Sequence, residues 1–393
     1  SNGVVLVTTK KGKKGKIVME LNSNYSVQNT SNELDLLNAD QFAIYQQAIN
    51  PAYVQGSGNT DWQDLLFRAG STQNHQFSFS GGTDKLNFYA STNYFKQDGV
   101  VINSAFERFT FLSNIDAQVT DKLKLGMNLF GSRGAENGVP TQSTGATANG
   151  GGDDVVSGSF RFAPDLGVLD ANGLNTVNGV GDDIDNPFAV ATEGVNETKT
   201  DIFRANLYAN YDILENLSFK TTFGFSANNE TLGVFRPSTL ITTAGGNVGG
   251  RALVGNQRRT NIISENYLTY TTDINKGKLT LLAGYSYQKD MRERFAAGAQ
   301  GFSSDSFSYR NLGGGSVQLI PTSSLVESEI QSQFGRINYD YDDKYLFTAT
   351  VRRDGASNFA ANEKIAIFPS FALGWKVSNE AFLKDSKSIS NLK

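Results

Sequence analysis

The chain has 393 residues, with 35 Lys+Arg against 39 Asp+Glu, a single His and no Cys. Without Cys there are no disulfides, thiolate metal sites or cysteine nucleophiles, and one imidazole leaves no pair for a His-based metal centre. A net charge of -4 is not the basic footprint of a nucleic-acid binder, and no apolar run approaches the roughly 18 residues of a spanning helix.

Charged residues make up 19% and hydrophobic ones 39%, both below the shares of ordinary soluble domains. Uncharged polar residues, 40 Gly, 27 Phe and 15 Tyr fill the gap, a balance that points to an extended β architecture. The chain opens in mid-strand at Val4–Thr9 and ends at Ser390–Lys393 without a closing feature. It therefore reads as part of a longer protein, with targeting signals outside it. The run from Lys10 to Lys16 lacks the Gly spacing and terminal hydroxyl of a phosphate loop and reads as a solvated basic turn.

From Ile17 the sequence alternates. Ile17, Met19, Leu21, Tyr25 and Val27 fall on one face, with Glu20, Asn22 and Asn24 on the other, the period of a strand with two different faces. Asn38–Ala48 reads instead as a short helix, capped by Asn38 with Gln41 as return partner and with Phe42 and Tyr45 on one face. It is expected to pack inside the first long loop. His75 sits among Gln73, Asn74 and Gln76 at a strand start, with no readable nucleophile or carboxylate set around it.

Alternation returns from Phe109 to Val119, Leu123 to Leu129, Phe203 to Tyr211, Leu217 to Phe225, Leu279 to Tyr287, Tyr345 to Val351 and Phe371 to Val377. It is indistinct from Thr260 to Ile274. Tight polar turns at Gly81–Asp84, Thr120–Lys122, Leu214–Asn216, Asn275–Gly277 and Asp342–Asp343 alternate with longer connections. The longer ones lie near Gly99 (about 10 residues), from Gly134 to Glu197, and near Gly245, Gly313 and Ala360. Strands of roughly 10 to 14 residues fit the 9–11 of a tilted membrane strand better than the 5–6 of globular sheets. Short turns at one end and long loops at the other are the pattern of a transmembrane β-barrel with short periplasmic turns and long extracellular loops. The expected fold is all-β: an antiparallel transmembrane barrel of about twelve strands, left incomplete because an open edge cannot face lipid.

Several stretches resemble the SusC/RagA family of TonB-linked outer-membrane proteins. Ser1–Gly12 is similar to the end of that family's plug domain, and Asn59–Arg68 to the segment before an early barrel strand. Gln73–His75, Phe79–Lys85, Phe106–Phe109, Gly335–Tyr339, Arg352–Phe359, Phe368–Ser370 and Gly374–Trp375 continue the match in family order. The resemblance implies residues 1–16 as the plug's end and linker, and 17–393 as the N-terminal part of a barrel of about 22 strands. It further implies the outer membrane of a Gram-negative, Bacteroidetes-like cell, a SusD-like surface lipoprotein as partner, and energy from TonB–ExbB–ExbD acting through a region ahead of the plug. Such a protein is a transporter and not an enzyme.

Cargo is expected to be an oligosaccharide too large for porins, with peptide, siderophore or cofactor import by the same mechanism, or a soluble glycan-binding β protein, as alternatives. The inward Arg, Asn, Thr, Ser and Gln positions suit a hydrogen-bonding passage for a neutral or weakly charged solute. Ring faces stack on sugars, which makes the loop aromatics Tyr53, Trp62, Phe235, Phe302 and Tyr309 the candidate ligand contacts. Tyr285, Tyr287, Tyr345 and Trp375 are expected at the lipid–water interface. Asp170–Gly173 with Asp182, Asp183 and Asp185 has a loosely calcium-like composition, but the fixed ligand spacing of a calcium loop is not met, and a solvated acidic loop is the expected reading, with calcium as the minority one. Apart from that alternative no resident cofactor or metal is expected, and no nucleic acid.

Overall fold

The computed structural model describes residues 12, 14–140, 154–179, 184–240, 249–383 and 392–393. Twelve strands form one antiparallel sheet in which each pairs with its neighbours in sequence. They are β1 (Gly15–Gln28), β2 (Gly70–Gly82), β3 (Leu86–Asp98), β4 (Ala105–Thr120), β5 (Leu123–Asn137) and β6 (Val195–Leu214). The sheet continues with β7 (Leu217–Arg236), β8 (Arg251–Ile274), β9 (Gly277–Phe302), β10 (Gly315–Tyr341), β11 (Tyr345–Ala356) and β12 (Ile365–Trp375). Four short helices lie in the long connections: α1 (Ala39–Ile49), α2 (Trp62–Leu66), α3 (Val155–Arg161) and α4 (Pro187–Glu193).

The register keeps the two faces chemically distinct along the whole sheet. Leu21 opposes Phe77, Leu207 opposes Phe223, Ile337 opposes Leu281, and Phe347 opposes Leu373. Because facing residues share a side, these pairs build one continuous apolar face, and most of its large side chains are exposed. The other face carries polar ladders such as Asn93 Nδ2 to Asn74 Oδ1 at 2.6 Å and Asn128 Nδ2 to Asn114 Oδ1 at 2.9 Å. Three guanidiniums on it lie over the ring directly opposite: Arg108 over Phe95, Arg204 over Phe130 and Arg352 over Phe334, 5.5–5.6 Å from each centroid. At Gly126 a Cβ would fall 2.0 Å from the Tyr208 ring, and at Gly284 2.4 Å from the Phe334 ring. Glycine here lets a large ring lie flat across the neighbouring strand.

The strands depart from expectation in length. β6 and β7 have 20 residues each, β8 24, β9 26 and β10 27. The apolar band occupies only the part near the tight turns. On β9 it runs from Leu279 to Tyr287, and the next position on that face is Lys289, whose Nζ lies 3.1 Å from Glu329 and 3.6 Å from Glu327. Beyond that row Arg258 faces Glu293. Charged residues interrupt the apolar ones there, yet the ladder continues past a bulge at Ile320 and Pro321, because strand pairing satisfies the backbone whatever the side chains are. In β8 the same face carries Thr260, Ile262, Ser264 and Asn266 before reaching Leu268 and Tyr270, while Ile263 and Tyr267 lie on the polar face, which is why its alternation is indistinct.

The tight turns fall where the sequence puts them. Asn275, in the two-residue β8–β9 turn, and Asp342 and Asp343, in the three-residue β10–β11 turn, have positive φ (56°, 55° and 50°), the left-handed geometry that tight hairpin turns require. The β3–β4 connection, Gly99–Ser104, is shorter than expected. Gly99 N donates to Ser104 O at 2.9 Å, Ser104 Oγ to Val101 O at 2.6 Å, and Asn103 has φ 59°. These bonds close it as a compact turn.

Candidate functional site

The long connections gather at one end of the sheet and bury a core of their own. It comprises Trp62, Leu66, Val101, Val155, Phe162, Ile184, Ala189, Val190, Ala191 and Leu240. Four separate connections contribute, so none of these loops is an independent unit.

The first loop is built from caps. Asn38 Oδ1 accepts from Gln41 N at 3.0 Å and Gln41 Oε1 from Asn38 N at 3.1 Å, the reciprocal box expected from the sequence. Asp61 caps α2 by accepting from Gln63 N at 2.9 Å and Asp64 N at 3.1 Å. The Gln63 amide then holds the preceding strap: its Nε2 donates to Leu34 O at 2.7 Å and its Oε1 accepts from Leu34 N at 2.9 Å.

This loop is bound edge to edge with residues 163–167. Trp62 Nε1 donates to Ala163 O at 3.1 Å, Thr60 N to Pro164 O at 2.8 Å, and Gly58 N to Asp165 O at 2.8 Å. The approach is close enough to require glycine, since a Cβ on Gly56 would lie 2.3 Å from Asp165 O and one on Gly58 2.4 Å from the Leu166 carbonyl carbon. Asp165 is the hub. Its Oδ2 accepts from the Tyr53 hydroxyl at 2.6 Å and from Gly56 N at 2.8 Å. Burial, then the bond to the Asp165 carboxylate, pushes the Tyr53 phenol well above its usual range.

A cleft of about 550 Å³ opens between the strap 34–38, α1, the turn 59–63 and residues 159–164. Phe42, Tyr45, Trp62, Phe160 and Phe162 supply rings, while Asp35, Asn59, Asp61, Gln63 and Arg161 supply polar groups. Phe42 and Tyr45 share a face as expected, and that face lines the cleft. Phe42 also meets Tyr53 edge-on with centroids 6.3 Å apart. Two other grooves, one around Leu207 and Phe223 and one around Leu281 and Ile337, lie on the apolar face of the sheet and belong to its surface.

The remaining candidate aromatics occupy different settings. Trp62 is 3% exposed and packs edge-on against Phe162 at 4.8 Å, forming the floor of the cleft. Phe235 and Phe302, at the far ends of β7 and β9, are 3% and 7% exposed and pack edge-on at 5.7 Å. Tyr309 lies against that pair, and its hydroxyl donates to Glu197 Oε2 at 2.7 Å. Trp62 lines the cleft, Tyr53 stands behind it against Phe42 and Asp165, and Phe235, Phe302 and Tyr309 form a second cluster.

Asp170 caps its own turn, its Oδ1 accepting from Asn172 N and Leu174 N at 2.9 Å each, with Gly173 at φ 76°. Those backbone donors, the Leu174 N–H foremost, hold its carboxyl below the ordinary range. Asp185 is buried and forms a two-pronged ion pair with Arg236, Nη2 to Oδ1 at 2.5 Å. Asp182 and Asp183 lie outside the described residues. His75 projects from the apolar face, with Nδ1 2.7 Å from Ser23 Oγ and its ring parallel to Tyr94 at 6.5 Å. Among the described residues no carboxylate bonds to that ring, so the pair lacks the third group that orients a catalytic base.

Four elements of this cap escaped sequence reading: α2, α3, α4 and the Asp165 hub. The signals for the helices are present. Asp154 accepts from Val156 N and Ser157 N, and Asn186 stands before Pro187 at the first helical position, both standard start marks. Nothing local marks Asp165, whose partners lie more than 100 positions away.

No family model matches the chain. TonB-dependent receptor P3 of Formosa agariphila is 53% identical over 394 residues, a match that takes in 100% of this chain and 39% of that protein. TonB-dependent receptor SusC of Bacteroides thetaiotaomicron is 28% identical over 421 residues, covering 100% of this chain and 40% of its own length. Among solved structures, the RagAB peptide transporter superposes with a TM-score of 0.77 at 21% identity, over 95% of this chain and 46% of that one. That likeness carries the fold: a transmembrane barrel whose apolar face is the outer wall and whose polar face is the inner one. The chain thus spans about two-fifths of the length of the curated relatives it matches. Two-faced strands in family order, a loop cap at one end and identity along the whole chain place it in the SusC/RagA family of TonB-dependent receptors, as part of their barrel.

Proposed function

We propose that this chain forms the wall and part of the extracellular mouth of an outer-membrane importer that moves an oligosaccharide into the periplasm without altering it. In this reading residues 1–16 are the end of a plug and its linker, and residues 17–393 the first part of the barrel. A SusD-like surface lipoprotein captures cargo above the mouth, and TonB–ExbB–ExbD supplies the pull that displaces the plug. The cell outer membrane of a Gram-negative bacterium is the setting.

The observation that supports the reading best is the cleft in the loop cap. Its lining is half polar and half apolar, as a sugar needs. A ring stacks on the apolar face of a pyranose while amides and carboxylates bond its hydroxyls. Phe42 and Tyr45 are the proposed stacking rings, with Trp62 as the floor. Tyr53 is proposed to hold the cleft's shape, and Phe235, Phe302 and Tyr309 to brace the neighbouring loops.

Deleting the full-length gene and growing the strain on single purified oligosaccharides or peptides tests this. Loss of growth on one oligosaccharide, restored by the wild-type gene and poorly by Tyr45→Ala, is expected. Loss confined to peptides, or no loss on any large nutrient, overturns it.

A further inference from the structure

We infer that the inner wall across β7, β8 and β9 carries a binding site for an oligosaccharide bearing an oxyanion, a uronate carboxylate or a sulfate ester. The choice of an oligosaccharide rests on the import reading above. Asn228, Arg259 and Arg292 stand directly opposite one another on three adjacent strands. Two guanidiniums facing each other across a ladder repel. Among the described residues a carboxylate offsets only one of them, Asp290 Oδ2 lying 2.9 Å from Arg259 Nε. Among the described residues the Nε of Arg292, removed from solvent, has no acceptor, and the buried Oδ1 of Asn228 has no donor.

One row further from the tight turns, Glu230, Gln257 and Arg294 are opposite one another, and Arg294 Nε donates to Gln257 Oε1 at 2.6 Å. Three guanidiniums thus share this stretch with two carboxylates. A buried donor and a buried acceptor left open in one row each carry the desolvation cost of an unmade bond, and together they describe what is missing. An oxyanion between Arg259 and Arg292 would accept from the open Nε and relieve the repulsion. A hydroxyl next to it would donate to Asn228. An acidic sugar carries both groups on one ring, whereas a neutral sugar leaves the guanidiniums facing each other.

The test uses the full-length receptor in detergent, titrated calorimetrically with sodium glucuronate, sodium sulfate, and neutral or acidic oligosaccharides of matched length. Arg292→Gln and Arg259→Gln are expected to weaken acidic probes by about tenfold or more, leave neutral ones unchanged and flatten the salt dependence. Arg292→Lys should restore part of the loss. Arg204→Gln, which removes an inner-wall charge outside the row, should do little. The better-bound of glucuronate and sulfate identifies the oxyanion. Unchanged glucuronate and sulfate binding in both glutamine variants overturns the site, as does an equal loss in Arg204→Gln, which would mean diffuse charge. If no oligosaccharide binds or enters but the small anions bind in an Arg292-dependent way, the import reading falls and the anion site stands.

Discussion

Asp185 ties two elements of the loop cap together. It is 3% exposed and meets Arg236 with both carboxylate oxygens, tying the third long loop to the end of β7. Removing one partner of a buried pair strands the other, at a cost of about 3–5 kcal/mol. Arg236→Met in the full-length receptor should therefore expose residues 154–194 to limited proteolysis at protease levels that leave the wild type intact. Equal resistance would show that the pair is dispensable. Gly58 makes a steric case of the same kind. A methyl group there meets the Leu166 backbone at 2.4 Å, so Gly58→Ala should separate the first loop from residues 163–167. Faster hydrogen exchange at the amides of Gly58 and Thr60 is the expected sign.

Among the elements, legibility followed locality. The capping box of α1 could be read because every atom in it comes from residues 38–41. The tight turns were legible for the same reason. The distant reaches of β8, β9 and β10 were not, because beyond the apolar band polar and apolar residues mix on both faces, Met291 and Phe295 beside Lys289 and Glu293 and Leu325 next to Val326, and the period of two no longer separates them. The first-loop cleft was half legible. Its ring face was visible in α1, but its opposite wall arrives from residues 159–164, and no local pattern announces that approach.

The turn between β10 and β11 yields a pH prediction. Lys376 pairs with Asp343 and lies 3.7 Å from Asp340, and Asn379 Nδ2 donates to Asp343 O at 2.7 Å and to its Oδ2 at 3.0 Å. The Lys376 ammonium holds the Asp343 carboxyl below its ordinary range. A depressed carboxyl contributes stability above its unfolded value, about 3.9, and that contribution is lost as pH falls through the lower folded value. Melting curves of the full-length receptor between pH 6 and 2 should show a larger acid loss for the wild type than for Asp343→Asn. Identical acid profiles would remove the ion pair from the account.

For the whole molecule, one strand pattern repeated twelve times makes a wall with two solvents. Burying the polar ladders and exposing Phe203, Phe371 and Leu373 makes no sense for a sheet in water, where such a face is an aggregation surface. It is the required arrangement when lipid lies outside. Phe223→Arg, on the outer wall, should destabilise the barrel by about 2–4 kcal/mol near the bilayer midplane. Thr222→Arg, one residue away on the inner wall, should cost far less. Urea titration of receptor refolded into lipid vesicles measures both. Residues 1–393 expressed alone, with β1 and β12 each paired on one side among the described residues, should aggregate without detergent.

The most direct test of the two-solvent wall places single cysteines, one at a time, along β7 from Leu217 to Phe225 in the full-length receptor, on a stretch that carries none of its own. Each is labelled with a fluorophore in outer-membrane vesicles and quenched in turn by a lipid-soluble and a water-soluble quencher. Labels at 219, 221, 223 and 225 should respond to the lipid-soluble quencher and those at 218, 220, 222 and 224 to the aqueous one, alternating with a period of two. Uniform aqueous quenching along the strand would contradict the barrel and return the chain to a soluble β sheet.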